Sequence, residues 1–505
     1  MNVKSGRALV TGGAQGLGRA VCEALLSRGC KVCCADVNSE KGQRTVEELQ
    51  KSYGESNCIF VKCDVSSSEE FEEAYLKAKQ TIGDLNILVN NAGVSQENKA
   101  VDINLNGVIY GCNIASKYMG KNNGGNGGAV VNVGSVAGLE PFKLSIYSAS
   151  KAGVIMFTRC LGLNYEKSGV KFTCVCPSTI NTEMVQNEIK SEGEEMREFF
   201  KKNPAIEPSE VGEAIIQLIE EGKPGAVMTV IKGEKNEYVK FTDKIQKIRN
   251  KSLKMNVKIG RALVTGGAQG IGRAVCEALL SRGCKVCCAD VNSEKGQRTV
   301  EELQNSYGES NCIFVKCDVS SSEEFEEAYL KAKQSFGNLN ILINNAGVSQ
   351  GNKIVDVNLN GVIYGCNIAL KYMGKDNGGD GGAVVNVSSV GGLQPLPPKP
   401  VYSATKAGVI ILTRCYGLHY QKSGIKFTCV CPAPVNTKMF QNDAKATNIN
   451  KEFIRILERN PPMESSEVAE AIIQLVEEGN TGAVMTVIKG EENEYVQFPD
   501  KMYLK

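Results

Sequence analysis

Two tyrosine–lysine pairs carry the chemistry that this sequence suggests first: Tyr147 with Lys151, and Tyr402 with Lys406. The spacing of four residues places both side chains of a pair on one face of a helix. An ammonium group beside a phenol favours the ionised phenol and lowers a pKa that is normally about 10. Taken alone, such a pair is better explained as an exposed structural pair, so its meaning depends on the residues that accompany it.

The chain is a tandem duplicate, and a glycine-rich loop lies near the start of each copy, at 11–18 and at 265–272. In such a loop, glycines permit a tight turn, a close approach of the backbone to a pyrophosphate and close helix packing. The free amides of the following helix attract the anion. The alternative interpretation is a glycine-rich turn that binds no ligand. We assign the cofactor-binding role to Gly12, Gly16, Leu17, Gly18, Gly266, Gly270, Ile271 and Gly272.

An aspartate follows each loop by about 20 residues, at Asp36 and Asp290. At the end of a second strand, a carboxylate accepts hydrogen bonds from a ribose diol and repels a 2′-phosphate. Gln15 and Val37 supply no basic partner for that phosphate. The sequence therefore predicts NAD as the cofactor, in preference to NADP.

A fold must bring these residues together, and the pattern of apolar residues indicates which one. Along each copy, short apolar runs that are typical of strands alternate with segments that have the apolar spacing of helices. Near-continuous apolar strands of this kind are typical of a parallel sheet that is covered on both faces. The predicted fold class is α/β, a doubly wound parallel seven-stranded sheet of the Rossmann type, in two tandem copies. The strands predicted in the first copy are 7–10, 31–35, 58–63, 87–89, 129–133, 170–175 and 226–231.

Met1 aligns with Met255, which fixes the repeat near 250 residues. After the sixth strand, at 178–208 of the first copy, the copies differ most in residue type and in length. Ligands of such sheets bind beyond the carboxyl ends of the strands, so we predict a substrate lid there. Because the lid sequences of the two copies differ, we expect the copies either to bind different substrates or to include one with weakened activity. The predicted domains are 1–241 for the first copy, 242–254 for a basic linker and 255–505 for the second copy.

The amino-acid composition limits the classes of partner that we expect this protein to bind. The 58 basic and 56 acidic residues leave a charge of +2, which gives no electrostatic reason to expect nucleic acid or a membrane as the partner. Without a leader or a long apolar run, we expect a soluble, cytoplasmic protein with a small-molecule partner.

The 20 cysteines are interpreted as buried reduced thiols, and no metal site is predicted. The single histidine, His419, is not expected to act in catalysis.

Further residues complete the pattern in the same order in both copies. Asn-Asn-Ala-Gly stands at 90–93 and at 344–347, and a later asparagine and a serine precede each tyrosine. Together with the glycine loop, these motifs resemble the short-chain dehydrogenase/reductase family over almost the whole of each copy. Within the family, the similarity is greatest to NAD-dependent members that oxidise the 15-hydroxyl of prostanoids. The remaining motif residues are Asn104, Ser135, Asn358 and Ser389.

The resemblance implies a role for each residue. Tyr147, as tyrosinate, would take the proton of a secondary alcohol while hydride passes to NAD, and Lys151 would lower the pKa of Tyr147 and hold the nicotinamide ribose. Ser135 would orient the substrate oxygen, and Asn104 would hold a water in a proton relay. Asp64 with Val65 would meet the adenine, Asn90 and Gly93 the adenosine side, and Thr182 the nicotinamide amide. The counterparts in the second copy are Tyr402, Lys406, Ser389, Asn358, Asp318, Val319, Asn344, Gly347 and Thr437.

The expected substrate is a secondary alcohol on a lipid-like chain, a hydroxy fatty acid or a prostanoid. The chain departs from the family pattern at Ser178 and Ala433, where glycine is usual, and at Thr179 and Pro434, where aromatic residues are expected. Dehydrogenase chemistry is thus better supported than a prostanoid substrate. A carbonyl reductase of steroids or quinones, and an NAD-binding scaffold with one or both copies inactive, are the alternatives. Family members commonly pair through two helices, and we expect the copies to form that pair within one chain.

Overall fold

The computed structural model describes residues 3–95, 97–191, 193–241, 247–248, 260–446 and 461–498. The chain divides into two compact units. The main segment of the first unit is Met1–Thr242, and those of the second are Asp243–Gln394 and Val401–Phe498. The predicted linker at 242–254 lies outside the described residues, except for Lys247–Ile248, which form a strand of the second unit.

A single sheet runs through the first unit. Its strands are β1 Arg7–Thr11, β2 Lys31–Asp36, β3 Cys58–Lys62, β4 Ile87–Asn90, β5 Gly128–Val133, β6 Val170–Pro177, β7 Val227–Val230 and β8 Glu237–Tyr238. The strand order is β3-β2-β1-β4-β5-β6-β7-β8. The first seven strands are parallel, as predicted, and β8 pairs antiparallel with β7.

Helices connect these strands and cover the sheet. They are α1 Gly16–Leu26, α2 Ser39–Tyr53, α3 Ser68–Ile82, α4 Glu97–Ala100, α5 Gly107–Met119, α6 Ser145–Gly162, α7 Tyr165–Ser168, α8 Glu183–Ser191, α9 Gly193–Lys202 and α10 Pro208–Glu221. Alternate residues of β1, such as Ala8 and Val10, pack with Val21 and Leu25 of α1 in one buried cluster. Period-two burial on the strands and helical spacing on α1 therefore build the same core.

The second unit repeats this plan. Its strands are β9 Lys247–Ile248, β10 Arg261–Thr265, β11 Lys285–Asp290, β12 Cys312–Lys316, β13 Ile341–Asn344, β14 Gly382–Val387, β15 Ile425–Pro432, β16 Val484–Val487 and β17 Glu494–Val496. Its described helices are α11 Gly270–Leu280, α12 Ser293–Tyr307, α13 Ser322–Phe336, α14 Gly361–Met373, α15 Pro400–Gly417, α16 Tyr420–Ser423, α17 Lys438–Ala446 and α18 Ser465–Glu478. Strands β10 to β16 are parallel, and β17 and β9 extend the sheet in antiparallel fashion.

The strand order creates a crevice in each sheet. In the first unit the chain passes from β1 outward to β3 and then returns to β4 on the other side of β1. Helices that follow β1 and β4 therefore leave in opposite directions, and the crevice opens at the carboxyl ends of these two strands. The glycine loop follows β1, and Asn-Asn-Ala-Gly follows β4. The fold thus brings the two motifs to one edge of the sheet.

Candidate active site

The glycine loop has the geometry that its sequence predicts. Gly12 and Gly16 adopt positive φ values of 64° and 53°, which residues with a β-carbon rarely adopt. A β-carbon at Gly18 would overlap the carbonyl oxygen of Gly12. Helix α1 begins at Gly16, and Gln15 makes no side-chain hydrogen bond to its first amides. The loop therefore leaves the positive end of the helix open to an anion.

Asp36 holds the glycine loop against the end of β2. Its Oδ2 accepts a 3.0 Å hydrogen bond from Ala14 N, and its Oδ1 accepts a 2.9 Å bond from Asn38 N. In the second unit Asp290 makes the equivalent bonds at 3.1 Å and 2.9 Å. Each carboxylate is thereby fixed in position while its charge stays beside the loop.

A cavity of about 400 Å³ opens over the carboxyl ends of the strands in the first unit. Such a volume lies within the range of pockets for cofactors and small ligands. The cavity brings together most of the residues predicted for this site. Its lining includes Gly12, Gly16, Leu17, Gly18, Asp36, Asp64, Val65, Gly93, Ser135, Tyr147, Lys151 and Thr182.

Tyr147 and Lys151 share one face of α6, as the spacing predicts. Lys151 Nζ lies 5.7 Å from the centre of the Tyr147 ring and donates a 2.8 Å hydrogen bond to Val133 O. Burial lowers the pKa of Lys151 to about 8, against the opposing effect of two neighbouring thiols on β6. The second unit repeats the ring distance of 5.7 Å, and burial lowers the pKa of Lys406 to about 8 as well.

Each candidate serine lies at the end of the fifth strand of its sheet. Ser135 begins a short helical turn, and its Oγ accepts a 3.2 Å hydrogen bond from Ala137 N. Ser389 makes the equivalent 3.1 Å bond and is also hydrogen-bonded to the phenol of Tyr402. Burial raises the pKa of Tyr402, and the bond from Ser389 opposes that rise.

Asn104 lies behind the cavity in a π-helical turn at 101–106 and is fully buried. Its amide clamps Val94, because Val94 N donates to Oδ1 at 2.8 Å and Nδ2 donates to Val94 O at 2.9 Å. Nδ2 also donates to Ser150 Oγ at 3.1 Å, and Ser150 Oγ donates to Tyr147 O. Asn104 thus connects a wall of the cavity to the helix of Tyr147. Asn358, Val348 and Thr405 form the same clamp in the second unit.

Asn90 and its neighbour Asn91 occupy different places. The side chain of Asn90 lies between the sheet and α5, where its Nδ2 donates a 2.8 Å hydrogen bond to Asn132 Oδ1. Asn344 makes the same contact with Asn386. Asn91 lines the cavity and donates from Nδ2 to the carbonyl oxygen of Gly12. Sequence reasoning missed Asn91, although the doubled asparagine in both copies was visible.

Asp64 and Thr182, which the resemblance assigns to the adenine and the nicotinamide amide, both line the cavity. Asp64 Oδ1 accepts hydrogen bonds from Ser66 N at 2.9 Å and Ser66 Oγ at 2.7 Å. A β-carbon at Gly16 would lie 3.3 Å from the methyl carbon of Thr182, so Thr182 closes the cavity across the loop. Asp318 and Thr437 make the equivalent contacts in the second unit, where Lys353 lies 3.2 Å from the Asp318 carboxylate.

An aromatic wall in the first cavity was not predicted. Phe142 and Phe199 lie with ring centres 5.0 Å apart, and Phe199 meets Phe200 edge to face at 5.4 Å. All three rings line the cavity, together with Met184 of the lid. The sequence analysis considered Thr179 as a lost aromatic residue and did not single out these phenylalanines. The adjacent pair Phe199 and Phe200, in an otherwise charged helix, could have indicated them.

The cysteines and the single histidine were not expected to take part in this chemistry. All 20 cysteines are buried and free of disulfides. Burial raises the pKa of Cys30 to about 11 and that of Cys33 well above its usual range, so these thiols are poor nucleophiles. His419 is exposed at the turn before α16.

Comparisons with known proteins agree with this geometry. The family model described as short chain dehydrogenase matches residues 7–193 and 260–448. The human 15-hydroxyprostaglandin dehydrogenase [NAD(+)] is 36% identical over 249 residues, which cover 46% of this chain and 92% of that protein. A 3beta-hydroxysteroid dehydrogenase of Mediterraneibacter gnavus is 31% identical, over 36% of this chain and 68% of that protein.

A solved structure shares the fold over almost the whole chain. It is the N-domain of a bacterial malonyl-CoA reductase with NADP, at 15% sequence identity and a TM-score of 0.72, and the match covers 96% of this chain and 98% of that one. At this identity the likeness concerns the fold alone. Among the described residues, no helix combines the length and apolarity needed to cross a membrane.

Proposed function

The chain belongs to the short-chain dehydrogenase family, and from this premise we propose that each copy is an NAD-dependent dehydrogenase of secondary alcohols on lipid-like chains. One observation carries the proposal. In the first unit a single cavity holds Ser135, Tyr147 and Lys151 together with the glycine loop and Asp36. A proton acceptor and a dinucleotide site thus share one space, which is what transfer of a proton and a hydride from one carbinol requires.

The residues present fit NAD. The open amides of α1 suit its pyrophosphate, and the carboxylate of Asp36 suits a ribose diol and repels a 2′-phosphate. Asp64 would face the adenine, and Thr182 and Lys151 would hold the nicotinamide end. The human relative of similar sequence is named for NAD(+). Bound NAD supplies the hydride acceptor that no side chain provides.

The residues of the chain would move the proton. Tyr147, as tyrosinate, would accept it from the alcohol, and the ammonium of Lys151 would stabilise the negative phenolate. The Ser135 hydroxyl would donate to the reacting oxygen and hold the carbinol in register. Asn104 acts as a positioning residue in this scheme, because both ends of its amide engage Val94. The relay water that the family resemblance assigns to Asn104 would meet its backbone rather than its amide.

The proposed substrate class follows from the apolar wall. The same cavity that holds Tyr147 is lined by Phe142, Phe199, Phe200 and Met184. Apolar walls gain free energy by removing hydrocarbon from water, so they favour a chain over a small polar alcohol. The relative at 36% identity is named for a hydroxyprostaglandin. A hydroxy fatty acid or a prostanoid is therefore the proposed substrate.

A steroid is the second candidate. The relative at 31% identity is named as a 3beta-hydroxysteroid dehydrogenase, and the aromatic wall also suits fused rings. The same Tyr, Lys and Ser would serve a carbonyl reductase in the reverse direction, because general acid and base exchange roles.

The test is the initial rate of NADH formation by the full chain with NAD and either a 15-hydroxy prostanoid or a 3β-hydroxysteroid. We expect turnover with the prostanoid, and loss of it in the Tyr147→Phe/Tyr402→Phe double variant. NADH binding, followed by fluorescence, serves as the control and should survive that double substitution. Binding of NADH without turnover of any alcohol would instead make the chain a cofactor-binding scaffold.

A further inference from the structure

The second unit buries a carboxylate in its lid. Asp443 lies in α17 with 6% of its surface exposed. Its Oδ1 accepts a 2.7 Å hydrogen bond from Ser349 Oγ and a 3.0 Å bond from Gln350 Nε2. Both donors follow Asn-Asn-Ala-Gly at the end of β13. The lid is thus fixed to the same loop that Asn358 clamps through Val348.

This carboxylate is bonded to the part of the second unit that corresponds to a wall of the first cavity. In the first unit Val94 and Ser95 line the cavity together with Tyr147, and Ser349 is the counterpart of Ser95. The negative charge of Asp443 also acts on the phenol of Tyr402, where it adds to the effect of burial and raises the pKa. Both observations favour a position for the carboxylate on the Tyr402 side of the second site.

We propose that Asp443 is a specificity-determining residue of the second copy, which excludes alcohols that carry a carboxylate within a few bonds of the carbinol and accepts their neutral counterparts. The inference rests on the proposed dehydrogenase function. Two like charges held close together in a partly dry site repel strongly, whereas a neutral ester or diol meets no such penalty. Hydrogen bonds from Ser349 and Gln350 fix the carboxylate, so it cannot swing away from an incoming anion.

The experiment compares 3-hydroxyoctanoate with its methyl ester as substrates of the full chain with NAD. The Tyr147→Phe substitution silences the first copy, so that kcat/KM reports the second. We expect the ester to be preferred by about tenfold or more. Asp443→Asn keeps an oxygen that accepts from Ser349 and Gln350 but removes the charge. It should lower the ratio of kcat/KM for the ester to kcat/KM for the acid about tenfold, because any change in the pKa of Tyr402 affects both substrates alike.

Control variants separate charge from structure. Glu491→Gln removes an exposed charge between β16 and β17 and should leave the preference for the ester unchanged. Asp443→Ser is a second neutral variant, used if circular dichroism shows that Asp443→Asn has not folded.

The outcomes decide the inference. A preference for the ester that Asp443→Asn abolishes supports it. An equal change for acid and ester would assign Asp443 a purely structural role and overturn it, as would a preference that neither neutral variant alters. Absence of NADH formation with either substrate overturns the proposed function of this copy together with the inference, and it is distinguished by the lack of any rate to compare.

Discussion

At the residue scale, the charges around two phenols would set the reactivity of the two proposed sites. Lys151 and Lys406 lie at the same distance from their tyrosine rings and share the same lowered pKa. Their buried ammonium groups favour a tyrosinate, whereas in the second unit burial of the Tyr402 phenol opposes it. In the second unit the carboxylate of Asp443 adds to that opposition.

The pH dependence of the second copy follows from these charges. Burial makes the largest contribution to the raised pKa of Tyr402. The Asp443 carboxylate and the Cys431 thiol raise this pKa further, whereas the hydrogen bond with Ser389 lowers it. Alcohol oxidation needs the tyrosinate, so a lower pKa for Tyr402 extends activity to lower pH. Asp443→Asn should therefore shift the pH of half-maximal kcat/KM downward by about half a unit to one unit. The profile is measured with the neutral ester in the Tyr147→Phe chain, and an upward shift would contradict the assignment.

Cofactor choice also belongs to single residues. Asp36→Asn removes a charge but keeps an oxygen for the amides of Ala14 or Asn38. In the Tyr402→Phe chain, where the first copy alone turns over, we expect the KM for NAD to rise about tenfold and the preference over NADP to fall about tenfold or more. Steady-state rates with both cofactors measure this. Asp290→Asn in the same chain is the matched control and should change neither value.

A residue could be predicted from the sequence where the backbone geometry requires one particular residue type. The positive φ of Gly12 favours glycine, and the loop spacing predicted it, whereas the role of Tyr147 was expected from the family resemblance and not from its spacing to Lys151 alone. The side-chain direction of Asn90 was not predictable, because neighbours on a strand point to opposite faces and the motif does not say which faces the cavity. The lining by Phe199 depends on how the lid helix packs, which no local pattern encodes.

At the element scale, the π-helical turn before α5 joins two walls of the site. Asn104 bonds Val94 on one side and Ser150 of α6 on the other. A partly buried backbone amide and carbonyl of Val94 depend on this one side chain, so its loss leaves them without these partners. Positions of this kind couple stability to catalysis.

Asn104→Ala tests this coupling. We expect it to cost about 1–3 kcal/mol of unfolding free energy and to lower the rate of the first copy, since both Val94 and the Tyr147 helix lose a support. Thermal unfolding and NADH formation in the Tyr402→Phe chain measure the two effects. Asn106→Ala, in the same turn but bonded to exposed Asp102, should change both far less. Equal losses in the two variants would argue against the clamp.

The elements themselves were largely predictable. The seven parallel strands of each sheet were expected because each is an apolar run between helical patterns, and their presence is confirmed. The antiparallel edge strands were not expected. Strand β8 has only two residues, both exposed, so no run of apolar residues marks it. Its position depends on pairing with β7, a contact that the sequence pattern does not show.

At the scale of the whole molecule, duplication gives one chain two complete sets of candidate residues. The family resemblance led us to expect the copies to pair with each other within one chain, and this stays a prediction. Sedimentation of the full chain should then show the mass of a single chain at micromolar concentration. Exclusive formation of dimers or tetramers would favour pairing between chains instead.

The most direct test of two working dehydrogenase sites is the initial rate of NADH formation from NAD and a 15-hydroxy prostanoid, for the full chain beside Tyr147→Phe and Tyr402→Phe. Loss of a catalytic base lowers a rate about a hundredfold or more, so each single variant should retain only the contribution of the other copy. The two retained rates should sum to that of the unaltered chain. A rate that is lost entirely, or retained in full, in either single variant would contradict two working sites.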